Sequence, residues 1–458
     1  MTHSITVPWG RSCLSLPLPD RWQVLGELKP LTNPYPVDPA VACRKALEKP
    51  IGATRIASRN LKKQRVVLVV DDHSRPTPVG EFIGPILEEL AAAGVEDDRM
   101  DVLIATGVHR PSRPEEVERK LGKEIATRLR WRCHDAYNPD DLIDLGTTSR
   151  GTPVQLNRLL VESDLIICVG AVEPHLLLGF GGGLKMLVPG CASAKTIGCN
   201  HLLAVDPEHF DLVGVRGDRS PMRLDLEEAA QLVGREIFIV NAAMDELARP
   251  SCFFCGDPIQ AHRAAEAFLE DHVALKITQQ ADVVITSSFP MNSDLRQAVK
   301  CMGNTLEACK PGGVVIACVR CENGLGEMPL PPKTMPYTAM RFLLKVLGKK
   351  RILPLVKRMK KGRPAEELFV AHFGLQMLRR NHLAILHDPR ELPMGIGRKI
   401  GMAQSFTEGE AVLQWTAGKV PRDATVWVVP FGGSTYVPQG TSCLGLASPL
   451  PEELTCER

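Results

Sequence analysis

Between Ala171 and His201 the chain reads AVEPHLLLGFGGGLKMLVPGCASAKTIGCNH, and this stretch gathers side chains able to do chemistry. It holds His175, the run Gly181-Gly182-Gly183, Lys185, the Pro189-Gly190 turn and His201. Glycines beside one lysine let backbone approach a phosphate or a flat cofactor, because no Cβ stands in the way. A lysine amine there acts as a point charge, or as a nucleophile if desolvated. Histidine is the commonest metal ligand and a general acid or base near neutral pH. A glycine turn between a strand and a helix, with an exposed lysine, explains the same letters. The stretch therefore needs support from elsewhere in the chain.

The elements that must position it supply that support. RVVLVVDD (65–72), MDVLIATG (100–107) and SDLIICVG (163–170) are continuous apolar runs that read as buried parallel strands, and WRCHDAYNPDD (131–141) carries a shorter one. Helical spacing separates them, as in EFIGPILEELAAAGV and around Ala40–Leu47. Strands alternating with helices imply an α/β fold, and ligands in such sheets sit beyond the carboxyl ends of the strands. Asp72, Arg75, His109, His134 and His175 all fall just past such ends. A more helical, charged region follows around 206–275, with RPSCFFCGDP as a loop. A second α/β block starts near ADVVITSSF (281–289). SDLRQAVKCMGNTLEACKPGG (293–313) reads as a helix started by Ser293 and Asp294 and closed by Gly312-Gly313. GGVVIACVR, HLAILHD (382–388) and TVWVVPFGGST (425–435) give further strands. The expected organisation is two α/β domains, 1–275 and 276–458, each with a mostly parallel sheet flanked by helices. The active site lies in the cleft between them, and the last strand or tail packs back on the first domain.

Bulk properties narrow the function classes. The chain has 458 residues, 44% hydrophobic and 24% charged, with a net charge of +2. That suits a folded two-domain protein and gives no electrostatic reason to expect nucleic acid or an anionic membrane. Aromatic residues at 5% also weaken a base-stacking reading. The first residues lack a charged leader with an apolar core, and no apolar run is long enough to span a membrane, so a cytoplasmic protein is expected. The fourteen cysteines are then reduced thiols. The pairs Cys252/Cys255 and Cys318/Cys321 could supply four zinc ligands, but Cys318 ends a strand-like run, so scattered core thiols are the expectation. The basic stretch 345–364 reads as a solvated helix face.

Taken in order, DDHSRPTP (71–78), TGVHRP (106–111), HDAYN (134–138), EPHLLLGFGGGLKMLVPG (173–190) and CNH (199–201) resemble the nickel-dependent lactate racemase family, as do QAVK (297–300) and PFGGST near the end. The resemblance implies a nickel-pincer nucleotide, a pyridinium mononucleotide whose two thiocarbonyl sulfurs and one ring carbon bind nickel. By that resemblance Lys185 tethers it through a thioamide and His201 supplies the fourth nickel ligand, a set suited to square-planar nickel(II). It places Asp72, His73, Ser74 and Arg75 at the cofactor and active site, makes His109 and His175 the acid/base pair, and gives Gln297 and Lys300 to the substrate. It also implies cofactor-synthesis proteins as partners and leaves room for a homo-oligomer.

The chemistry of a 2-hydroxy acid agrees with these roles. Deprotonating C2 beside a carboxylate piles up negative charge, whereas removing hydride leaves a neutral ketone. A base must take the hydroxyl proton as hydride leaves, and two histidines serve the two hands. Arg75 and Lys300 can clamp the carboxylate. The chain departs from the family in carrying Arg296 where a tyrosine precedes QAVK, and Phe373-Gly-Leu-Gln376 where a WxxQ pattern is common. A second cation points to a substrate larger or more polar than lactate, such as malate, 2-hydroxyglutarate or a sugar acid, with Arg296 binding it. Lactate racemase proper, an NAD(P)-dependent 2-hydroxy acid dehydrogenase and a non-catalytic nickel or cofactor carrier are the alternatives. GFGGGLK is not GxGxxG, and Lys185 lacks the P-loop spacing.

Overall fold

The computed structural model describes residues 4–31, 37–204, 212–326, 328, 330, 336–359 and 365–439. In chain order its strands are β1 (Ser4–Trp9), β2 (Ser12–Pro17), β3 (Gln23–Glu27), β4 (Val66–Asp71), β5 (Met100–Ala105), β6 (Arg130–Cys133), β7 (Leu142–Thr147), β8 (Pro153–Asn157) and β9 (Leu165–Val172). After two short pieces, β10 (Pro174–His175) and β11 (Gly179–Phe180), come β12 (Glu236–Met244), β13 (Pro250–Gly256), β14 (Ala281–Ser287), β15 (Cys309–Val319), β16 (His382–His387), β17 (Gln404–Phe406) and β18 (Thr425–Val429).

Two six-stranded sheets result, in the orders β13-β12-β9-β4-β5-β6 and β17-β16-β15-β14-β18-β3. Every pairing is parallel except β12 with β13. The apolar runs of inner strands such as β4 and β9 are continuous because both of their faces are covered. Val67 and Val69 of β4 enter one core while Val66, Leu68 and Val70 enter another. The first of these cores also takes Ile166 of β9, Val284 of β14 and Val315 of β15. One apolar cluster thus spans the facing sides of both sheets, beneath the cleft that holds the site.

Three expectations are corrected. RPSCFFCGDP is mostly strand β13, antiparallel to β12. Phe253 and Phe254 point into different cores, which holds both faces of this edge strand. Gly312-Gly313 does not close a helix but lies inside β15, where the register shifts between Ala281 and Val283 and Gly312 has φ +89°. The preceding segment is two short helices, Leu295–Ala298 and Lys300–Thr305, and the first is capped by Asp294, whose side chain accepts from Gln297 N at 3.0 Å. Finally, residues 4–28 do not belong with the first sheet. β3 pairs with β18, and Ile5, Val7, Leu16 and Trp22 pack with Val283 and Ile316.

The chain returns toward the first sheet after β18. Tyr436 packs edge-on against Phe180, 5.8 Å between centroids, and its carbonyl accepts from Leu275 N at 2.7 Å. Residues 440–458 lie outside the described residues. The basic stretch forms parts of the helices Tyr337–Leu347 and Lys349–Met359, with Lys345, Arg351, Lys357 and Arg358 exposed; 360–364 lie outside the described residues. The two CxxC pairs sit on or just after different sheets' strands, and no group of metal-ligating side chains is found among the described residues. None of the described helices is long and apolar enough to cross a membrane.

Candidate active site

The site is assembled at strand ends. β4 ends in Asp71-Asp72, β5 leads through Thr106-Gly107 to His109, and β9 leads to Glu173 and His175. Helix Ala194–Leu202, capped by Ser193 at Thr196 N (3.1 Å), carries His201. From the second sheet's side, the two short helices after β14 bring Arg296, Gln297 and Lys300. Arg75, His109, His175, Lys185, His201, Arg296, Gln297 and Lys300 all line one cavity of about 170 Å³. Asp72 lines an inner chamber with Arg75, His109 and Lys185, while His73 and Ser74 line an outer one with His109, Arg296 and Gln297. Asp72, His73, Ser74, Arg75, His109, His175, Lys185, His201, Arg296, Gln297 and Lys300 are therefore brought to this cleft.

Asp72 is the hub of the first wall. Its Oδ1 accepts from Ser74 N (3.1 Å) and Oγ (2.6 Å), and its Oδ2 lies 2.8 Å from His109 Nδ1. Burial alone would push this carboxyl up. The His109 hydrogen bond and charge, the Ser74 hydroxyl and Arg75 outweigh it and hold the group well below the usual carboxylate range. The carboxylate only accepts, so Nδ1 of His109 carries the proton and Nε2 carries the lone pair in the neutral ring. His175 is held the opposite way. Its Nδ1 accepts from Leu177 N (3.2 Å) and Leu178 N (3.3 Å), so the proton of the neutral ring is on Nε2. Burial, then Lys185, Lys300, Arg75 and His201, push its pKa well below the ordinary histidine value and keep it neutral.

Lys185 sits in the glycine loop. Burial first, then the charge of Arg75, drive its amine pKa far below the usual lysine value, and among the described residues the amine has no hydrogen-bond or ion-pair partner. A neutral, desolvated amine is a nucleophile. His201 Nδ1 lies 2.8 Å from Ile197 O, an acceptor, so in the neutral ring the proton sits on Nδ1. Lys300 donates to Gln297 Oε1. Burial and then Arg75 lower its pKa to about 7.

Several contributors escaped the sequence reading. Glu173 pairs with Arg75, and Asp71 binds Lys120 Nζ and Thr77 Oγ1, each at 2.6 Å. Behind the glycine loop lies a buried polar cluster. Arg223 donates to Phe180 O (2.6 Å) and Gly182 O (3.3 Å), His262 Nε2 donates to Gly181 O (2.7 Å), and Asn241 Oδ1 accepts from Gly183 N (3.1 Å). Glu266 Oε1 faces His262 Nδ1 at 3.0 Å. The loop itself demands glycine: Gly182 has φ +75°, and a Cβ there would sit 2.6 Å from Ala171 O. Only the His262–Glu266 spacing, four apart on helix Gln260–Val273, could have been found from sequence.

Two sequence candidates are not at the site. His134 is 1% exposed and fully engaged by Ala192 O (2.9 Å) and Asn157 Nδ2 (3.1 Å), so it is a core histidine that braces the β5 and β8 ends. Gln376 turns away from the cavity and donates to Lys349 O at 3.0 Å, whereas Phe373 lines the cavity.

Comparison with known proteins follows the same outline. Residues 9–211 match the lactate racemase N-terminal domain model and residues 277–351 the lactate racemase C-terminal domain model. The chain is 32% identical over 327 residues to the lactate racemase of Thermoanaerobacterium thermosaccharolyticum, covering 70% of this chain and 76% of that protein. It is 30% identical over 287 residues to the lactate racemase of Lactiplantibacillus plantarum, covering 62% of this chain and 66% of that protein. The structure of the T. thermosaccharolyticum apoprotein superposes with a TM-score of 0.79 at 25% identity, over 95% of this chain and 100% of that one. A Thermotoga maritima protein shares the fold at a TM-score of 0.65 and 18% identity. An α/β enzyme with its site between two parallel sheets, an isomerase of the racemase class, is what the fold and these relatives define. The chain belongs to the lactate racemase family.

Proposed function

We propose that this enzyme inverts C2 of a 2-hydroxy acid by reversible hydride transfer, using a nickel-pincer nucleotide tethered at Lys185, and that its substrate is larger than lactate. The observation that carries the reading is the opposed tautomers of two imidazoles in one cavity. His109 presents a lone pair at Nε2, fixed by Asp72, and His175 presents an N–H at Nε2, fixed by two backbone donors. A hydroxyl that becomes a carbonyl, and a carbonyl that becomes a hydroxyl of the other hand, need one proton acceptor and one proton donor.

The residues fit the cofactor. The glycine loop that carries Lys185 is packed tightly from behind, since a Cβ at Gly182 or Gly183 would collide with Ala171 O or the His262 ring, and this fixes where the Lys185 stem enters the cavity. Burial and then Arg75 favour the uncharged form of the Lys185 amine, and among the described residues it has no hydrogen-bond or ion-pair partner. His201 is held in the tautomer that ligates through Nε2. When bound, the group would supply an electrophilic centre able to accept and return a hydride. The chain does the rest. Arg75, Gln297 and Lys300 hold the carboxylate. His109 takes the hydroxyl proton as the C2–H bonding pair departs, leaving a 2-oxo acid with an uncharged carbonyl and its carboxylate still held. This product turns its other face, and as the electron pair comes back the oxygen takes a proton from His175 Nε2, which is replaced by the proton that His109 took, so the histidine pair ends as it began. Glu173, paired with Arg75, keeps that guanidinium aligned.

A dinucleotide-dependent dehydrogenase fits less well. The glycine loop opens into a short 3₁₀ turn, Gly183–Met186, and not into the α-helix whose N-terminus would hold a pyrophosphate. The proposed enzyme works in the cytoplasm and depends on cofactor-synthesis proteins as partners. The test is to co-express it with those enzymes, measure the intact mass and nickel content, and follow single enantiomers by chiral chromatography. Added mass at Lys185, nickel bound and both enantiomers formed without NADH absorbance change support the reading. An unmodified Lys185 and no nickel under those conditions overturn it.

A further inference from the structure

The chamber that holds the acid/base pair has a second wall of different character. Helix Ala365–Arg380 contributes Phe369, Val370, Phe373 and Met377, and Met402 joins them. None of these can donate or accept a strong hydrogen bond. The helix has polar residues at hand, but they turn away: Gln376 is 0% exposed and bonds Lys349 O at 3.0 Å and His372 Nε2 at 3.1 Å. The wall is also built to a fixed shape. Phe369 and Phe373 stack with centroids 5.6 Å apart. Phe373 lies so close to Gly303 that a Cβ there would meet its ring at 2.7 Å and Leu176 at 2.9 Å. A glycine at 303 thus lets the aromatic ring recede, which deepens the chamber. Methionine side chains complete it with an adaptable surface suited to rings.

A second carboxylate or a row of hydroxyls pressed against this wall would lose water and gain no partner. Arg296 does not alter that. It lines both this chamber and the outer one that holds His73 and Asp294, so it stands at the passage between the two and not on the apolar wall. The expectation from sequence, that Arg296 selects an acidic or polyhydroxylated substrate, gives way to a different assignment.

We infer that the side chain of the substrate is bulky and apolar, an aryl or branched alkyl group seated on the Phe369–Phe373–Met377–Met402 wall, and that these residues set specificity. The inference rests on the racemase reading of the same cavity. In a hydrophobic pocket one methylene is worth about 10–200-fold in kcat/KM. The preference of a 3-phenyllactate or 2-hydroxy-4-methylpentanoate over lactate is therefore at least about tenfold.

The test uses the cofactor-loaded enzyme and a panel of lactate, 3-phenyllactate, 2-hydroxy-4-methylpentanoate, malate and gluconate. Racemisation is read by chiral chromatography and binding by calorimetry. The expected result is that both apolar acids exceed lactate, malate and gluconate by about tenfold or more in kcat/KM and bind more tightly. Val370→Lys, at a half-buried position, removes most of that preference, and Met377→Lys does the same if it folds. Malate or gluconate turned over as well as 3-phenyllactate overturns the apolar assignment and leaves the racemase reading standing. No inversion of any acid, with 3-phenyllactate still bound more tightly than malate, counts against the racemase reading and supports the wall. Equal binding of all five acids overturns the wall.

Discussion

His109 Nδ1 and Asp72 Oδ2 lie 2.8 Å apart, and the carboxylate is 3% exposed with its other oxygen tied to Ser74. Asp72 therefore does for His109 what a base needs: it fixes the tautomer and steadies the charge that follows proton uptake. Asp72→Asn keeps the shape but offers an amide that can donate to Nδ1, favouring the wrong tautomer. Racemisation should fall by about 10²–10⁴-fold, the usual worth of a general base. Nickel content and the mass at Lys185, measured on the same preparation, should stay near wild type. Equal losses of cofactor and activity would make Asp72 a cofactor anchor and nothing more.

Lys300 gives a pH signature. Burial and then Arg75 bring its pKa to about 7 from an ordinary 10.5, so the unfolded chain holds more protons across that window. Stability from this group thus rises as pH rises from about 7 to 10.5 in the substrate-free protein. Its carboxylate grip runs the other way, because only the ammonium form holds an anion. The kcat/KM profile should decline as pH rises through about 7, the value for the free enzyme. Lys300→Arg, which stays charged, should shift that decline to higher pH. An unchanged profile in the variant would assign the limb to another group.

The glycine loop is held from behind by Arg223, which is 1% exposed and donates to the carbonyls of Phe180 and Gly182. Arg223→Met leaves those carbonyls and Glu266 without that cation. Stability should drop by about 3–5 kcal/mol, as when one partner of a buried charged set is removed. Denaturant unfolding measures this directly. A loss within about 0.5 kcal/mol, as for surface changes, would mean that the loop does not depend on this cluster.

Legibility in the sequence tracked locality. The run RVVLVVDD announced β4 because both of its faces are covered, and the strand ends then located Asp72, His109 and His175. RPSCFFCGDP concealed β13 because Pro250, Gly256 and Asp257 look like turn residues, while Phe253 and Phe254 feed opposite cores and leave no one-sided pattern. Gly312-Gly313 mimicked a helix stop but forms an irregularity inside β15. His134 shares its strand-end position with the site histidines, and only its partners Ala192 and Asn157 show that it serves the core. Arg223, Asn241 and His262 come from three separate elements, so no spacing along the chain could reveal that they support one loop. Likewise, the apolar wall depends on how helix Ala365–Arg380 is turned, with Phe373 inward and Gln376 outward.

The most direct test of hydride transfer between paired imidazoles follows the hydrogen at C2. A single enantiomer of 3-phenyllactate carrying deuterium at C2 is incubated in ordinary water with cofactor-loaded enzyme until the two hands are equal. Both enantiomers, separated and examined by mass spectrometry, should retain the deuterium, because the hydride returns to the carbon it left and only the hydroxyl proton passes through His109 and His175. Replacement of that deuterium by solvent hydrogen in step with racemisation would contradict hydride transfer and make C2 deprotonation the route.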